Sequence, residues 1–328
     1  MRTHGITGGI GNSGGTFLPL VLPWGVGVHI YDGFLSTPVW AAMDVAAAPA
    51  VGYMVRRAQR QFDESRIPLL GVMGAFVFAA QMINFPVGIG TSGHLVGGAL
   101  LACTLGPAAA GVVLCAIIAI QALVFQDGGI LALGPNLINM AILGVLAGYL
   151  PYYLWGGTAW RKVAIFAGGA LSVMVSAILA LAELLISGVP MSRSVVGVSL
   201  ALFLVSALLE GAITLAIVQA LEAIQPSFVR QPAAGRSFAR GALGLAAVVL
   251  AAVGFLFAST APDGIESLGH TTGMDHVRRL FTTPLAGYQL ALAGQPWLRK
   301  TAAGLVGIAI VYGACLLIGR GIARRGRA

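Results

Sequence analysis

Apolar residues run along this chain in long unbroken stretches, separated by short polar breaks. The stretches cover 38–55, 67–84, 95–105, 107–125, 136–154, 162–186, 195–221, 241–260 and 301–319. Most approach the roughly 20 residues that a helix needs to cross the hydrocarbon layer of a bilayer. They are apolar all round and rich in Ala and Gly, as in GALGLAAVVLAAVG at 241–254. Small residues let helices pack closely in lipid. A membrane barrel would instead read as short segments of alternating polarity, which this pattern lacks. The pattern predicts an all-α integral membrane protein with about nine transmembrane segments, since a helix satisfies its backbone groups internally. The stretch 95–105 is short for a crossing and reads as partly re-entrant. Gly106-Pro107 separates it from the next, because proline is excluded from a helix interior.

The polar breaks divide the chain. Segment 223–240 is polar and basic, carries two prolines, and reads as a cytoplasmic linker. It separates a bundle of six or seven spans at 28–222 from a two-span hairpin at 241–319 with a long outer loop. Residues 1–27 precede the bundle as an N-terminal extension, and 320–328 form a basic tail.

Composition supports this division. The chain of 328 residues is 58% apolar and 9% charged, with a mean hydropathy of +0.90. A soluble domain carries about 25% charged residues. A formal charge of +8 would suggest nucleic acid in a soluble protein. Here no stretch interleaves basic and aromatic residues, so no nucleic-acid partner is expected and the charge reads as topological. Arg56, Arg57, Arg60, Arg66, Arg161, Lys162, Arg230, Arg236, Arg240, Arg320, Arg324, Arg325 and Arg327 all fall on one side if nine spans alternate. Lys and Arg concentrate in cytoplasmic loops. The expectation is a multi-pass protein of the cell (inner) membrane, embedded in lipid, with a cytoplasmic C-terminus and the start of the first span facing outside. Arg299 and Lys300 fall on the other side and run against it. Cys103, Cys115 and Cys315 lie inside apolar runs and read as small buried hydrophobes.

Candidate chemistry centres on INFPVGIGTSGHLVGG, which begins at Ile83 and places His94 among glycines. Gly88 to Gly93 fits G-x-G-x-x-G, but a dinucleotide site needs a βαβ setting and a later acidic residue, both missing. Gly90-Thr91-Ser92-Gly93 fits the G-x-S-G of intramembrane serine hydrolases. A nucleophilic Ser92 needs a base within reach, and no later span holds a histidine. An intramembrane hydrolase therefore stays only as an alternative. Glycines allow tight turns and close backbone approach, and an ionisable side chain at membrane depth tends to be functional. His29 opens HIYDGFLSTPVW on the same expected face as His94. Two imidazoles converging there suggest a metal site, since neutral imidazole suits Ni, Cu, Zn and Fe.

These motifs resemble one family. HIYDGFLSTPVW is similar to the N-terminal motif of the CbiM/NikM proteins, the metal-binding S components of cobalt and nickel energy-coupling-factor (ECF) ABC transporters. NFPVGIGTSGHLVGGALLACTLGP (84–107) and QALVFQDGGILALGPNLINM (121–140) resemble that family's central region. APDGIE (261–266) resembles the P-D-G-L-E segment of the accessory CbiN/NikN subunit, itself a two-span hairpin. The likeness implies a fused M–N chain that is not an enzyme and has no catalytic cofactor, with Ni2+ or Co2+ as transported substrate. It implies as partners a membrane T component (CbiQ/NikQ-like) and ATP-binding A subunits (CbiO/NikO-like). An S component for a non-metal substrate remains an alternative, although it gives no reason for the histidine pair.

The resemblance also implies a four-nitrogen metal site. The donors carry over to the α-amine of Val28, the amide nitrogen of His29, its ring nitrogen, and a ring nitrogen of His94. Asn84, Ser92 and Asp32 are candidates for the surrounding shell, and Asp263 and Glu266 for a metal-loading loop. Family members present Met-His at the extreme N-terminus, whereas here 27 residues precede Val28 and end LPLVLPWGVG. The expectation is that the working chain starts at residue 28, through a GTG start codon or cleavage after Gly27.

Overall fold

The computed structural model of the chain describes residues 28–61, 64–88, 91–229, 280–290 and 295–325. It is a helical bundle. Helix α1 (Thr37–Gln61) begins where the Ser36 carbonyl accepts from the amides of Val39 and Trp40. Few of its residues are buried, as suits a helix against lipid. Helix α2 (Ile67–Gln81), with Pro68 in its first turn where a missing N–H does no harm, is buried nearly all round. It leads into an antiparallel hairpin of β1 (Phe85–Gly88) and β2 (Thr91–Gly93), with Phe85 opposite Gly93 and Pro86 opposite Ser92. The apolar pattern did not predict this hairpin.

Helix α3 (Gly98–Leu105) follows and is buried throughout. Its eight residues rise about 12 Å, less than half of the hydrocarbon thickness. The half-span expected at 95–105 is therefore a short helix entered through the irregular stretch 94–97. Helix α4 occupies Pro107–Phe125 and α5 Leu133–Trp155. Both contain wide π-type turns, at Gln121–Phe125 and Leu137–Gly144, a geometry that often marks functional positions. Helices α6 (Arg161–Ile186) and α7 (Arg193–Ile224) form a long pair, the latter capped by Ser192 Oγ accepting from the Val195 amide at 3.2 Å. The last helix is α8 (Pro296–Arg325).

Glycines bring these helices together. A Cβ on Gly169 of α6 would lie 2.8 Å from the Cα of Gly211 on α7, and one on Gly168 would lie 2.3 Å from the Gly148 carbonyl on α5. Helix α8 packs on α2 in the same way, where a Cβ on Gly74 would meet Cys315 Sγ at 2.6 Å. All three cysteines are free and buried, as their apolar setting predicts. Large apolar side chains such as Leu150, Ile178, Ile186 and Leu204 point outward on the bundle flank.

The end of α1, the start of α4 and the end of α8 meet. Met54 and Ala58 near the end of α1 pack with Ala108 and Val112 at the start of α4 and with Ile322 near the end of α8. Arg161 at the start of α6 pairs with Glu222 near the end of α7. Among the described residues, six helices are long and apolar enough to cross a membrane: α1, α4, α5, α6, α7 and α8. Helix α2 is shorter at 15 residues. The expected span 241–260, the linker beyond Val229 and the 1–27 extension lie outside the described residues.

Candidate metal site

Residues 28–32, which form neither helix nor strand, lie against the loop between α4 and α5 and the first turn of α5. Asn136 holds this segment by the backbone of Ile30: its Oδ1 accepts from the Ile30 amide at 2.8 Å and its Nδ2 donates to the Ile30 carbonyl at 2.9 Å. The Gly129 amide donates to the same carbonyl at 2.8 Å. Asp32 Oδ1 accepts from the Leu131 amide at 2.7 Å. The contact is close because Gly129 has no side chain; a Cβ there would meet Asp32 Oδ1 at 2.4 Å. Val28 and His29 are 2% and 0% exposed. Asp32 thus braces the segment.

His94 is positioned from the opposite wall. Just beyond it, the amides of Val96 and Gly97 donate to Glu210 Oε2 and Oε1 at 2.8 and 2.9 Å. Glu210 is fully buried near the middle of α7. Two backbone donors, one on each oxygen of the same side chain, fix the loop to α7. Gln81 Nε2 donates to the Val96 carbonyl at 2.8 Å. Gly97 takes φ +76°, and a Cβ there would meet Val77 Cγ1 at 2.5 Å, so no other residue type turns this corner without strain. The loop is thereby drawn into the bundle.

The two imidazoles meet. Their centroids are 5.1 Å apart with planes inclined by 22°. His94 Nδ1 lies 2.9 Å from the Leu95 carbonyl. A carbonyl only accepts, so Nδ1 carries a proton, and in the neutral tautomer the lone pair sits on Nε2. That Nε2 is buried and has no hydrogen-bond partner, and both ring nitrogens of His29 are in the same state. Burial lowers the His29 pKa to about 4, although nearby Asp127 pulls the other way. The ring is therefore neutral at physiological pH, and its lone pair is available to a cation. Asp127 Oδ1 lies 3.7 Å from His29 Nδ1. Burial alone would raise the Asp127 carboxyl, but His29, His94 and hydrogen bonds from Tyr288 and Tyr31 outweigh it and hold the carboxyl below its ordinary value.

Among the described residues, no group of three or more His, Cys, Asp or Glu side chains could hold a metal ion. The histidine pair supplies donors for part of a shell, and the rest would have to come from backbone nitrogen. Ser92 is buried in β2, and its turn belongs to a hairpin with none of the βαβ context of a dinucleotide fold. Asn84 sits partly buried just ahead of β1. Asp263 and Glu266 lie outside the described residues. Sequence reasoning missed Asp127, Asn136 and Glu210. Asp127 and Glu210 had a signal: each is an acid within or beside an apolar run, where an ionisable group is expensive. Asn136 had none, since its role depends on a fold that brings residue 30 beside it.

Comparison with known proteins bears on this arrangement. Residues 29–228 match the model of the CbiM family, described as the cobalt uptake substrate-specific transmembrane region. The chain belongs to the CbiM family. The CbiM match contains both histidines, Asp127 and Glu210. The fused nickel transport protein NikMN of Rhodobacter capsulatus is 30% identical over 330 residues, covering 87% of this chain and 95% of its own. A protein of Archaeoglobus fulgidus named for fused nickel transport, also NikMN, is 35% identical with the same two shares. A truncated transition metal transporter of known crystal structure superposes with a TM-score of 0.54 at 33% identity, covering 60% of this chain and 99% of its own. The protein is accordingly a multi-pass membrane member of a cobalt and nickel transport family, with a CbiM/NikM region fused to a second one, and is not an enzyme. The hydrolase alternative built on Ser92 falls with that result.

Proposed function

We propose that this chain is the substrate-binding S component of an ECF-type importer for Ni2+ or Co2+. One observation carries the reading: two buried imidazoles stack at 5.1 Å with their free nitrogens unpartnered in an apolar bundle. Buried polar atoms left unmade are costly, and a captured cation would remove that cost. The donors are the α-amine of residue 28, the His29 amide nitrogen, His29 Nδ1 and His94 Nε2. Amine and deprotonated amide close a five-membered chelate ring, and amide with Nδ1 a six-membered one. Fused rings of this kind favour a square plane, which suits Ni(II), whereas zinc prefers a tetrahedron. The names of the two NikMN relatives favour nickel as well.

The arginine-bearing ends of α1 and α8 face the cytoplasm in this reading, so the buried histidine pair lies toward the outer side of the bundle. Energy comes from partners: a T component and ATP-binding A subunits. The region 28–222 binds the ion, 241–319 acts as the NikN-like hairpin, and Asp263 and Glu266 on its loop deliver the ion. The test is metal analysis of the full chain purified from cells grown with traces of both ions. Near-stoichiometric nickel or cobalt is expected, with transport only when T and A subunits are co-produced. Purification with neither ion, and no binding on titration, sinks the reading.

A further inference from the structure

Tyr288, in the described segment 280–290, reaches the wall of this site from a part of the chain more than 150 residues away from Asp127. Its hydroxyl donates to Asp127 Oδ2 at 2.7 Å and accepts from Gln121 Nε2 at 3.1 Å. Its ring stacks on Phe125 with centroids 4.8 Å apart and planes inclined by 18°. The backbone is bent to allow this. Gly287 and Tyr288 both take left-handed conformations, with φ of 62° and 55°. For a bulky residue that conformation is strained and persists only where surrounding contacts enforce it. Two further bonds anchor the segment: Thr283 Oγ1 donates to the Val124 carbonyl, and Gln126 Nε2 to the Phe281 carbonyl.

The object of these contacts is a carboxylate. Tyr31 OH donates to Asp127 Oδ1 at 3.2 Å, so each carboxylate oxygen is held by one tyrosine. Oδ1 nevertheless stands 3.7 Å from His29 Nδ1. An ion at about 2 Å from a nitrogen and about 2 Å from an oxygen could span that gap. Oδ1 already stands within that reach, and Tyr288 fixes how the carboxylate is turned through the other oxygen, Oδ2. A carboxylate oxygen beside imidazole nitrogens is a donor set that zinc accepts readily and that draws nickel away from a plane of four nitrogens.

Building on the importer reading above, we infer that Tyr288 is a specificity-determining positioning residue: by holding Oδ2, its hydroxyl keeps the Asp127 carboxylate from turning onto the ion and so keeps the site selective for Ni2+ over Zn2+. The second region of the fused chain would then set what the first region accepts. Asp127 stays ionised beside the divalent charge, where it contributes attraction without a bond.

The experiment uses the full-length chain in detergent, titrated in competition with Ni2+ and Zn2+. Tyr288→Phe keeps the stacked ring and removes only the hydroxyl. Partners at one remove from a metal typically change affinity by about 10- to 100-fold when altered. Tyr288→Phe should raise the Zn2+ affinity relative to Ni2+ by about tenfold, and the absorption spectrum of the nickel complex should move away from that of a planar site. Adding Asp127→Asn to Tyr288→Phe should restore the original ratio, because the freed carboxylate is then absent. Asp127→Asn alone should leave the ratio within about twofold, which keeps the inference testable if Tyr288→Phe does not fold. Normal nickel binding with an unchanged ratio in Tyr288→Phe overturns the inference alone. So does a raised ratio that survives the double substitution, or a clear shift of the ratio in Asp127→Asn alone. Failure of the unaltered chain to bind Ni2+ or Co2+ overturns the importer reading together with this one.

Discussion

At the scale of single residues, the site is a problem of where protons and lone pairs go. His94 has its tautomer set by the Leu95 carbonyl, which leaves Nε2 as the free donor. His94→Ala should abolish tight binding of Ni2+ and Co2+ while the protein still enters the membrane and elutes as a single species. Calorimetric titration that still finds a stoichiometric nanomolar site would remove His94 from the donor set. His29 makes a separate prediction about pH. Its pKa is lowered from 6.5 to about 4 by burial, opposed by Asp127. The folded state therefore binds this proton less readily than the unfolded chain does. Stability is full above pH 6.5, falls as pH drops toward 4, and changes little from this group below that. The whole effect is worth about 3 kcal/mol. The melting temperature of the metal-free protein should decline through that window, and the decline should be largely absent from His29→Asn. A flat profile in the unaltered protein would show that the imidazole is not buried neutral.

At the scale of elements, much of the bundle was legible. Runs such as 162–186 and 195–221 became α6 and α7 within a few residues, because a long all-apolar run has one economical solution in lipid. The weakest run, 95–105, was legible as a half-span for the same reason: it is too short, and Gly106-Pro107 closes it. The hairpin at 85–93 was not legible. Its strands are four and three residues long, without alternation, and depend on the bundle to hold their edges. The two histidines were legible as a pair, whereas the clamp of Glu210 on the amides of Val96 and Gly97 spans more than 110 residues of sequence and leaves no periodic trace. That clamp and the turn at Gly97 act together, which gives an element-scale prediction. Gly97→Ala forces a Cβ to within 2.5 Å of Val77 at positive φ, so it should destabilise the fold by about 2 kcal/mol or more and weaken metal binding, since His94 moves with the loop. Gly157→Ala, whose Cβ meets nothing within 4 Å, is the matched control and should be close to neutral. Equal melting temperatures for the two variants would show that the turn at Gly97 does not set the loop.

At the scale of the whole molecule, the proposed site depends on what precedes it. In the four-nitrogen reading, three donors come from residues 28 and 29, and the segment that carries them is fixed to the bundle by Asn136, Gly129 and Asp32. Such pre-positioning suits a chelate, because the ordering of the chain is complete before the ion arrives. It also makes the site sensitive to a single covalent fact. With a free amine at residue 28 the five-membered ring closes. With residues 1–27 attached, the same nitrogen is a peptide amide, a far poorer donor, and Val28, buried at 2% exposure, must carry a further chain away from the site. Intact-mass measurement of the natively expressed protein should therefore show a chain that begins at residue 28, as Met if a GTG codon initiates or as Val if a leader is removed. A version engineered to retain residues 1–27 should bind Ni2+ at least about tenfold more weakly, equivalent to about 1.4 kcal/mol, while its melting temperature without metal stays unchanged. A native chain that begins at Met1 and takes up metal normally would exclude the amine as a donor. His29 and His94 would then need oxygen ligands, and Asp127, 3.7 Å from His29, is the carboxylate placed to provide one.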